Sequence, residues 1–198
     1  MKLNLPNKLT VLRVFMVPFF MVFILYRPFG TTWSNIIAAA FFILTALTDL
    51  FDGKIARKRG LITDFGKFLD PLADKIMIIG AYLCFCTSLD DKFMAGIMVW
   101  ATIITVFREF AVTSIRLLAS SDSGVVIAAN FMGKLKTMVQ SITVIIILLE
   151  PIIFGENLEI FSKYHLLSYV GILLSVYLTV HSGWNYIKAY WHLLDPSK

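Results

Sequence analysis

Residues 49–75 read DLFDGKIARKRGLITDFGKFLDPLADK and contain five aspartates and six lysines or arginines. Apolar runs flank this stretch on both sides, in a chain that is 58% hydrophobic and only 16% charged. Soluble domains carry about 25% charged residues. Ionisable side chains next to a membrane span are costly and usually functional, so this stretch is expected to contain the functional site.

Six apolar segments predict an all-α, polytopic membrane protein of six transmembrane helices. Each is close to the roughly 20 residues that a helix needs to cross about 30 Å of hydrocarbon. A chain of 198 residues is expected to form a single transmembrane domain over residues 1–198, with the charged hairpin at residues 49–74. The predicted spans are about Leu9–Tyr26, Trp33 to beyond Asp49, Gly66–Ser88, Phe93–Ala119, Leu135–Phe154 and Leu166–Trp191.

Basic residues fall mainly on one side of these spans. Residues 1–13, 54–75, 108–136 and 188–198 contain all the lysines and arginines except Arg27, Lys92 and Lys163. The positive-inside rule therefore places both termini and the charged hairpin in the cytoplasm. This topology accounts for the net charge of +5 without a nucleic-acid partner.

Four aspartates of the hairpin are spaced so that they can converge. Asp49 and Asp52 are three residues apart at the end of the second helix, and Asp70 and Asp74 are four apart on the third. Each pair therefore shares a helix face. Four such carboxylates repel one another unless cations neutralise them, and oxygen-only ligands suit Mg²⁺ or Mn²⁺. The pattern predicts a site for two divalent cations, with an ordinary ion-pair network as the competing interpretation.

Small residues and one arginine accompany these aspartates. Gly53 and Gly66 each cost about 1 kcal/mol of helix propensity relative to alanine, and Ala56 is nearly as small. Missing side chains beside the carboxylates would let a ligand approach the backbone. Arg57 offers a planar fork of donors that suits a phosphate group.

The fixed residues of the hairpin resemble the signature of the CDP-alcohol phosphotransferases. The sequence reads Asp49-x-x-Asp52-Gly53-x-x-Ala56-Arg57, then eight residues, then Gly66-x-x-x-Asp70-x-x-x-Asp74. All fixed identities and spacings match. The resemblance implies the six-helix fold of that family, a homodimer, and a site that opens to the cytoplasm.

Further segments are similar to the branch of the family that uses glycerol 3-phosphate. These are residues 7–13 (NKLTVLR), 68–75 (FLDPLADK), 108–110 (REF), the segment around Arg116, and 133–137 (GKLKT). The resemblance implies transfer of a phosphatidyl group from CDP-diacylglycerol to glycerol 3-phosphate in the bacterial cell membrane, giving phosphatidylglycerophosphate and CMP. Serine, inositol phosphate or phosphatidylglycerol are alternative acceptors, and a cation transporter is a remote alternative.

The resemblance also implies roles for the signature residues. Asp74 corresponds to the proposed general base as well as to a metal ligand. The metal-site positions are Asp49, Asp52, Asp70 and Asp74. The positions that hold the cytidine diphosphate part of CDP-diacylglycerol are Asp49, Asp52, Gly53, Ala56, Arg57 and Gly66.

An acceptor with a dianionic phosphate requires a cationic pocket. Arg108 and Arg116 are eight residues apart on the fourth helix and share a face, and Lys134 and Lys136 lie at the cytoplasmic end of the fifth span. We expect these four to bind the acceptor phosphate, although a positive cytoplasmic flank or contacts with lipid headgroups would also explain them.

Other polar and small residues have less specific expectations. Asn7, Thr10 and Arg13 are placed at the substrate entry, with helix capping as the alternative for Asn7. Tyr186, near the end of the last span, is expected to be an interfacial anchor. Close helix packing is expected at Gly80, Gly96 and Gly171.

Overall fold

The computed structural model describes residues 4–59, 63–122, 131–154 and 165–191, with the side chains of residues 5, 6, 50–59, 67 and 120–122 excepted. Within these residues the fold consists of six α-helices and contains no strand. The predicted all-α class is confirmed. The helices are α1 (Leu5–Tyr26), α2 (Gly30–Arg59), α3 (Asp64–Ser88), α4 (Lys92–Asp122), α5 (Phe131–Ile153) and α6 (Leu166–Ala189).

Five of the six helices are long and apolar enough to cross a membrane, namely α1, α2, α4, α5 and α6. The first half of α3 carries Asp64, Asp70, Asp74 and Lys75, and only its second half is apolar. The chain is therefore a multi-pass membrane protein, with a charged segment built into one helix of its bundle.

The helices pack so that α3 is held from two sides. Helix α1 packs against α2 and α3, α4 packs against α3 and α6, and α5 packs against α2 and α6. Phe20, Phe42, Tyr82, Phe85 and Met98 are fully buried in the shared core. Large apolar side chains cover the outer surface, as expected where lipid replaces water.

Two of the three glycines predicted at helix contacts are confirmed. A Cβ atom at Gly80 would lie 3.0 Å from Met21 Sδ, and one at Gly171 would lie 3.0 Å from Thr143 Oγ1. These glycines allow close packing of α3 on α1 and of α6 on α5. The prediction for Gly96 is wrong, because no atom of the described residues outside its own helix backbone lies within 4 Å of a Cβ built there.

Candidate active site

One polar face of α1 connects the two helices of the charged hairpin. Asn7, Thr10 and Arg13 are spaced three residues apart, and all three are buried. The Thr10 hydroxyl donates a hydrogen bond to Asp70 Oδ1 at 2.6 Å. Arg13 Nη1 lies 2.7 Å from Asp49 Oδ1. Helix α1 therefore holds one aspartate of α2 and one of α3.

Asn7 supports the start of α3 rather than capping its own helix. Helix α1 begins at Leu5 after the N-cap residue Asn4, so the capping alternative for Asn7 is wrong. The Thr63 hydroxyl donates to Asn7 Oδ1 at 2.9 Å and accepts a hydrogen bond from the Gly66 N–H. A Cβ atom at Gly66 would lie 3.1 Å from Asn7 Oδ1, so the missing side chain makes room for Asn7.

Three of the four predicted metal-site aspartates have described side chains. Asp49 is 44% exposed although its partner Arg13 is fully buried, and Asp70 and Asp74 are partly buried on α3. Among the described side chains, no group of three histidine, cysteine, aspartate or glutamate residues lies close enough to hold a metal ion. The convergence of all four aspartates stays a prediction, since the Asp52 side chain lies outside the described set.

The remaining signature positions of the second helix lie within α2. Gly53, Ala56 and Arg57 belong to the part of α2 whose side chains the structure leaves undescribed. Their predicted contacts with the donor substrate stay predictions. The described carboxylates offer only oxygen donors, and this donor chemistry fits a hard divalent cation.

A cavity of about 240 Å³ lies between α3, α4, α5 and α6. We call it the cationic cavity, because five basic side chains line it. It contains Asp74, one of the signature aspartates, at its α3 wall. The basic residues are Lys75, Arg108, Arg116, Lys134 and Lys136. The structure thus brings together all four residues predicted to bind the acceptor phosphate, and adds Lys75.

Glu109 connects three of these cations. Arg108 Nη1 donates to Glu109 Oε1 at 3.0 Å, and Lys136 Nζ donates to the same oxygen. Lys75 Nζ lies 3.9 Å from Glu109 Oε2 and donates to Thr113 Oγ1 at 2.8 Å. One carboxylate on α4 therefore organises basic side chains from α3, α4 and α5.

Tyr186 holds another cation of the cavity. Arg116 Nε donates to the Tyr186 hydroxyl at 2.9 Å, and the guanidinium carbon lies 5.3 Å from the centre of the Tyr186 ring. The ring is 4% exposed and packs against Val112 and Ile115 of α4. The prediction that Tyr186 is an interfacial anchor is therefore wrong.

The site has two chemically distinct parts at one end of a membrane bundle. Aspartates suited to divalent cations lie on α2 and α3, and a cavity suited to anions adjoins Asp74. This arrangement defines a membrane-embedded enzyme that acts on phosphate esters.

The chain belongs to the CDP-alcohol phosphatidyltransferase family, whose model matches residues 3–181. It is 39% identical over 206 residues to the CDP-diacylglycerol–glycerol-3-phosphate 3-phosphatidyltransferase of Bacillus subtilis, an alignment that covers 98% of each chain. It is 35% identical over 198 residues to the enzyme of the same name from Yersinia pestis, covering 99% of this chain and 100% of the relative.

A third relative, from Mycobacterium tuberculosis, is named probable phosphatidylglycerophosphate synthase. It is 34% identical over 184 residues, covering 93% of this chain and 80% of the relative. The predicted family and transferase class are confirmed, and the predicted reaction agrees with the names of all three relatives. The family generally uses divalent cations.

Proposed function

We propose that this protein transfers the phosphatidyl group of CDP-diacylglycerol to glycerol 3-phosphate, releasing phosphatidylglycerophosphate and CMP. The observation that carries this proposal is the cationic cavity, which contains Arg108, Arg116, Lys134 and Lys136 next to Asp74. Such a cavity suits an acceptor with a dianionic phosphate, and its carboxylate suits the removal of a proton from the acceptor hydroxyl. The names of the relatives support the same substrates.

The chemistry divides between the two parts of the site. The cationic cavity binds the phosphate of glycerol 3-phosphate, so that its free hydroxyl lies near Asp74. The hydroxyl oxygen attacks the phosphorus attached to diacylglycerol, its proton passes to the Asp74 carboxylate, and the bond from that phosphorus to the CMP oxygen breaks. Positioning and electrostatic stabilisation supply most of the acceleration in such phosphoryl-group transfers.

Two divalent cations, Mg²⁺ or Mn²⁺, would be held by Asp49, Asp52, Asp70 and Asp74. When bound, they neutralise the charge of the pyrophosphate and of the leaving CMP. Thr10 and Arg13 orient two of these carboxylates, as partners of metal ligands commonly do. The cytidine diphosphate part would contact Asp49, Asp52 and four further residues of the hairpin. These four are Gly53, Ala56, Arg57 and Gly66.

The distribution of basic residues supports a site that faces the cytoplasm of a bacterial cell, with both termini on that side. At the membrane boundary the diacylglycerol chains stay in lipid while glycerol 3-phosphate and CMP exchange with water. A single catalytic domain over residues 1–198, working as a homodimer, is part of this proposal.

The test uses the purified full chain in lipid nanodiscs, with labelled CDP-diacylglycerol and each of four acceptors. We expect CMP release that depends on Mg²⁺ or Mn²⁺ and on glycerol 3-phosphate, with little release on inositol phosphate, serine or phosphatidylglycerol. The Asp70→Asn variant should lose at least about 100-fold in activity, since it removes a charged ligand. Preference for another acceptor would overturn the proposed reaction, and full activity of Asp70→Asn would overturn the proposed site.

A further inference from the structure

Glu109 occupies an unexpected place for a negative charge. Its side chain is only 15% exposed and lies in the wall of the cationic cavity, where a dianionic phosphate is proposed to bind. A carboxylate in that position repels the ligand, because like charges a few ångströms apart interact strongly in a partly desolvated site. Its presence therefore requires a compensating benefit.

The benefit lies in the cations that it contacts. The Lys136 side chain is 3% exposed and that of Arg108 is 12% exposed, so both charges are largely removed from water. A buried charge without a partner is strongly unfavourable. Long basic side chains also lose rotamer entropy when they are fixed. Glu109 Oε1 meets both needs, since it accepts from Arg108 and Lys136 together.

The contacts with Glu109 leave donors available for a ligand. An ammonium group has three N–H donors and a guanidinium has five, and each group uses one of them in its contact with Glu109 Oε1. Arg108 Nε is buried and has no hydrogen-bond partner among the described residues. The cations are thus held in place and still able to donate.

We propose that Glu109 is a positioning residue for the acceptor, which fixes Arg108 and Lys136 in the orientation that receives the acceptor phosphate. This inference rests on the proposed function of the cationic cavity as the acceptor site. A positioning role and a role that only balances charge predict opposite effects on phosphate binding when Glu109 is removed. If Glu109 only lowered the positive charge of the cavity, its removal would strengthen phosphate binding; if it positions the cations, its removal weakens binding.

The experiment compares Glu109→Gln and Glu109→Asp with the unaltered chain in nanodiscs. We expect Glu109→Gln to raise the KM for glycerol 3-phosphate at least about tenfold, because hydrogen bonds of charged groups are lost or misdirected. The KM for CDP-diacylglycerol should change less than about twofold. Glu109→Asp keeps the charge but withdraws it by one methylene group, so it should also raise the acceptor KM.

A matched control makes the same chemical change at Glu150, a buried carboxylate that lies outside the cavity. Glu150→Gln should leave the KM for glycerol 3-phosphate unchanged. An acceptor KM that is unchanged or lower in Glu109→Gln, or a Glu109→Asp variant that behaves like the unaltered chain, would overturn the inference. The aspartate variant also decides the question if the glutamine variant does not fold.

Calorimetric binding of glycerol 3-phosphate without the donor lipid separates this inference from the proposed reaction. Failure of the unaltered chain to release CMP with glycerol 3-phosphate would defeat the proposed function. Weaker binding by Glu109→Gln would still support a positioning role. Equal or tighter binding by that variant would defeat the inference even in an active enzyme.

Discussion

Two carboxylates of the protein, the partly buried Glu109 and the buried Glu150, each bring several partners together but do so with different chemistry. Glu150 is 2% exposed and accepts hydrogen bonds from the backbone N–H groups of Leu167 and Ser168 and from the Ser168 hydroxyl. Within the described part of the chain, the polar partners of the Glu109 carboxylate are all side-chain cations. Lys136, a partner of Glu109, precedes Glu150 on α5 by fourteen residues, which is roughly 21 Å of helix.

The difference separates a structural carboxylate from one that serves a binding site. Backbone donors at the start of α6 are fixed, and a negative charge there also complements the helix dipole. The basic partners of Glu109 carry further donors and line an open cavity. A buried carboxylate whose partners are backbone groups therefore stabilises the fold, whereas one whose partners are cations at a cavity organises a ligand site.

The largest effect is expected on metal affinity, from changes to the polar face of α1 that contacts the aspartates of the site. Arg13→Gln removes the charged partner of Asp49, and Thr10→Val removes the hydroxyl bound to Asp70. Loss of such partners typically lowers metal affinity about 10- to 100-fold. We expect weaker Mn²⁺ binding in a titration followed by electron paramagnetic resonance, with a larger effect for Arg13→Gln.

The control for these variants is Lys8→Gln, on the exposed side of α1. It should bind Mn²⁺ as the unaltered chain does. Unchanged Mn²⁺ affinity in both Arg13→Gln and Thr10→Val would show that α1 does not orient the metal-site carboxylates. The contacts of Thr10 and Arg13 would then resemble those of Glu150, which contribute only to stability.

The sequence predicts the residues of the site better than their partners. Helical spacing predicts a shared face for Asp70 and Asp74, because that relation is local to one helix, and the structure places both residues on α3. Thr10 and Arg13 are polar residues that the sequence identifies as important. Their contacts with the aspartates depend on how α1 packs on α2 and α3, which no local pattern contains.

The same reason explains the wrong prediction for Tyr186. A tyrosine near the end of an apolar span is typical of an interfacial anchor. Its burial arises because the end of α6 packs against Val112 and Ile115 of α4. Lys75 likewise follows a signature aspartate and belongs to the cationic cavity, a relation that appears only when α3 and α4 are placed together.

The next effect in size concerns stability, and it comes from the hydrogen bonds between Glu150 and the start of α6. Glu150→Gln replaces one of the two carboxylate oxygens with an amide NH₂ group, which cannot accept a hydrogen bond. Either the Leu167 N–H or the Ser168 N–H then loses its acceptor, because each binds a different oxygen of Glu150. Leaving a buried donor unsatisfied costs about 1–3 kcal/mol of the free energy of unfolding. We expect a lower melting temperature in detergent and an unchanged KM for glycerol 3-phosphate. A changed acceptor KM with an unchanged melting temperature would contradict the structural role assigned to Glu150.

The smallest expected effect tests whether a second hydrogen bond to a cation of the cavity, from Arg116 to Tyr186, also contributes to acceptor binding. Tyr186→Phe keeps the ring beneath the Arg116 guanidinium but removes the hydroxyl that accepts from Arg116 Nε. The loss of one hydrogen bond, about 0.5–1.5 kcal/mol, corresponds to roughly a 2- to 10-fold rise in the acceptor KM. The KM for CDP-diacylglycerol should not change.

Tyr177→Phe is the matched control for this variant, because Tyr177 lies on the same helix with an exposed ring stacked on His181. It should have the kinetics of the unaltered chain. If Tyr186→Phe matches it, the cation–π contact alone holds Arg116, and hydrogen bonding organises only the Glu109 side of the cavity. If the two differ as expected, both sides of the cavity depend on neighbours that fix a cation while leaving other donors for the phosphate.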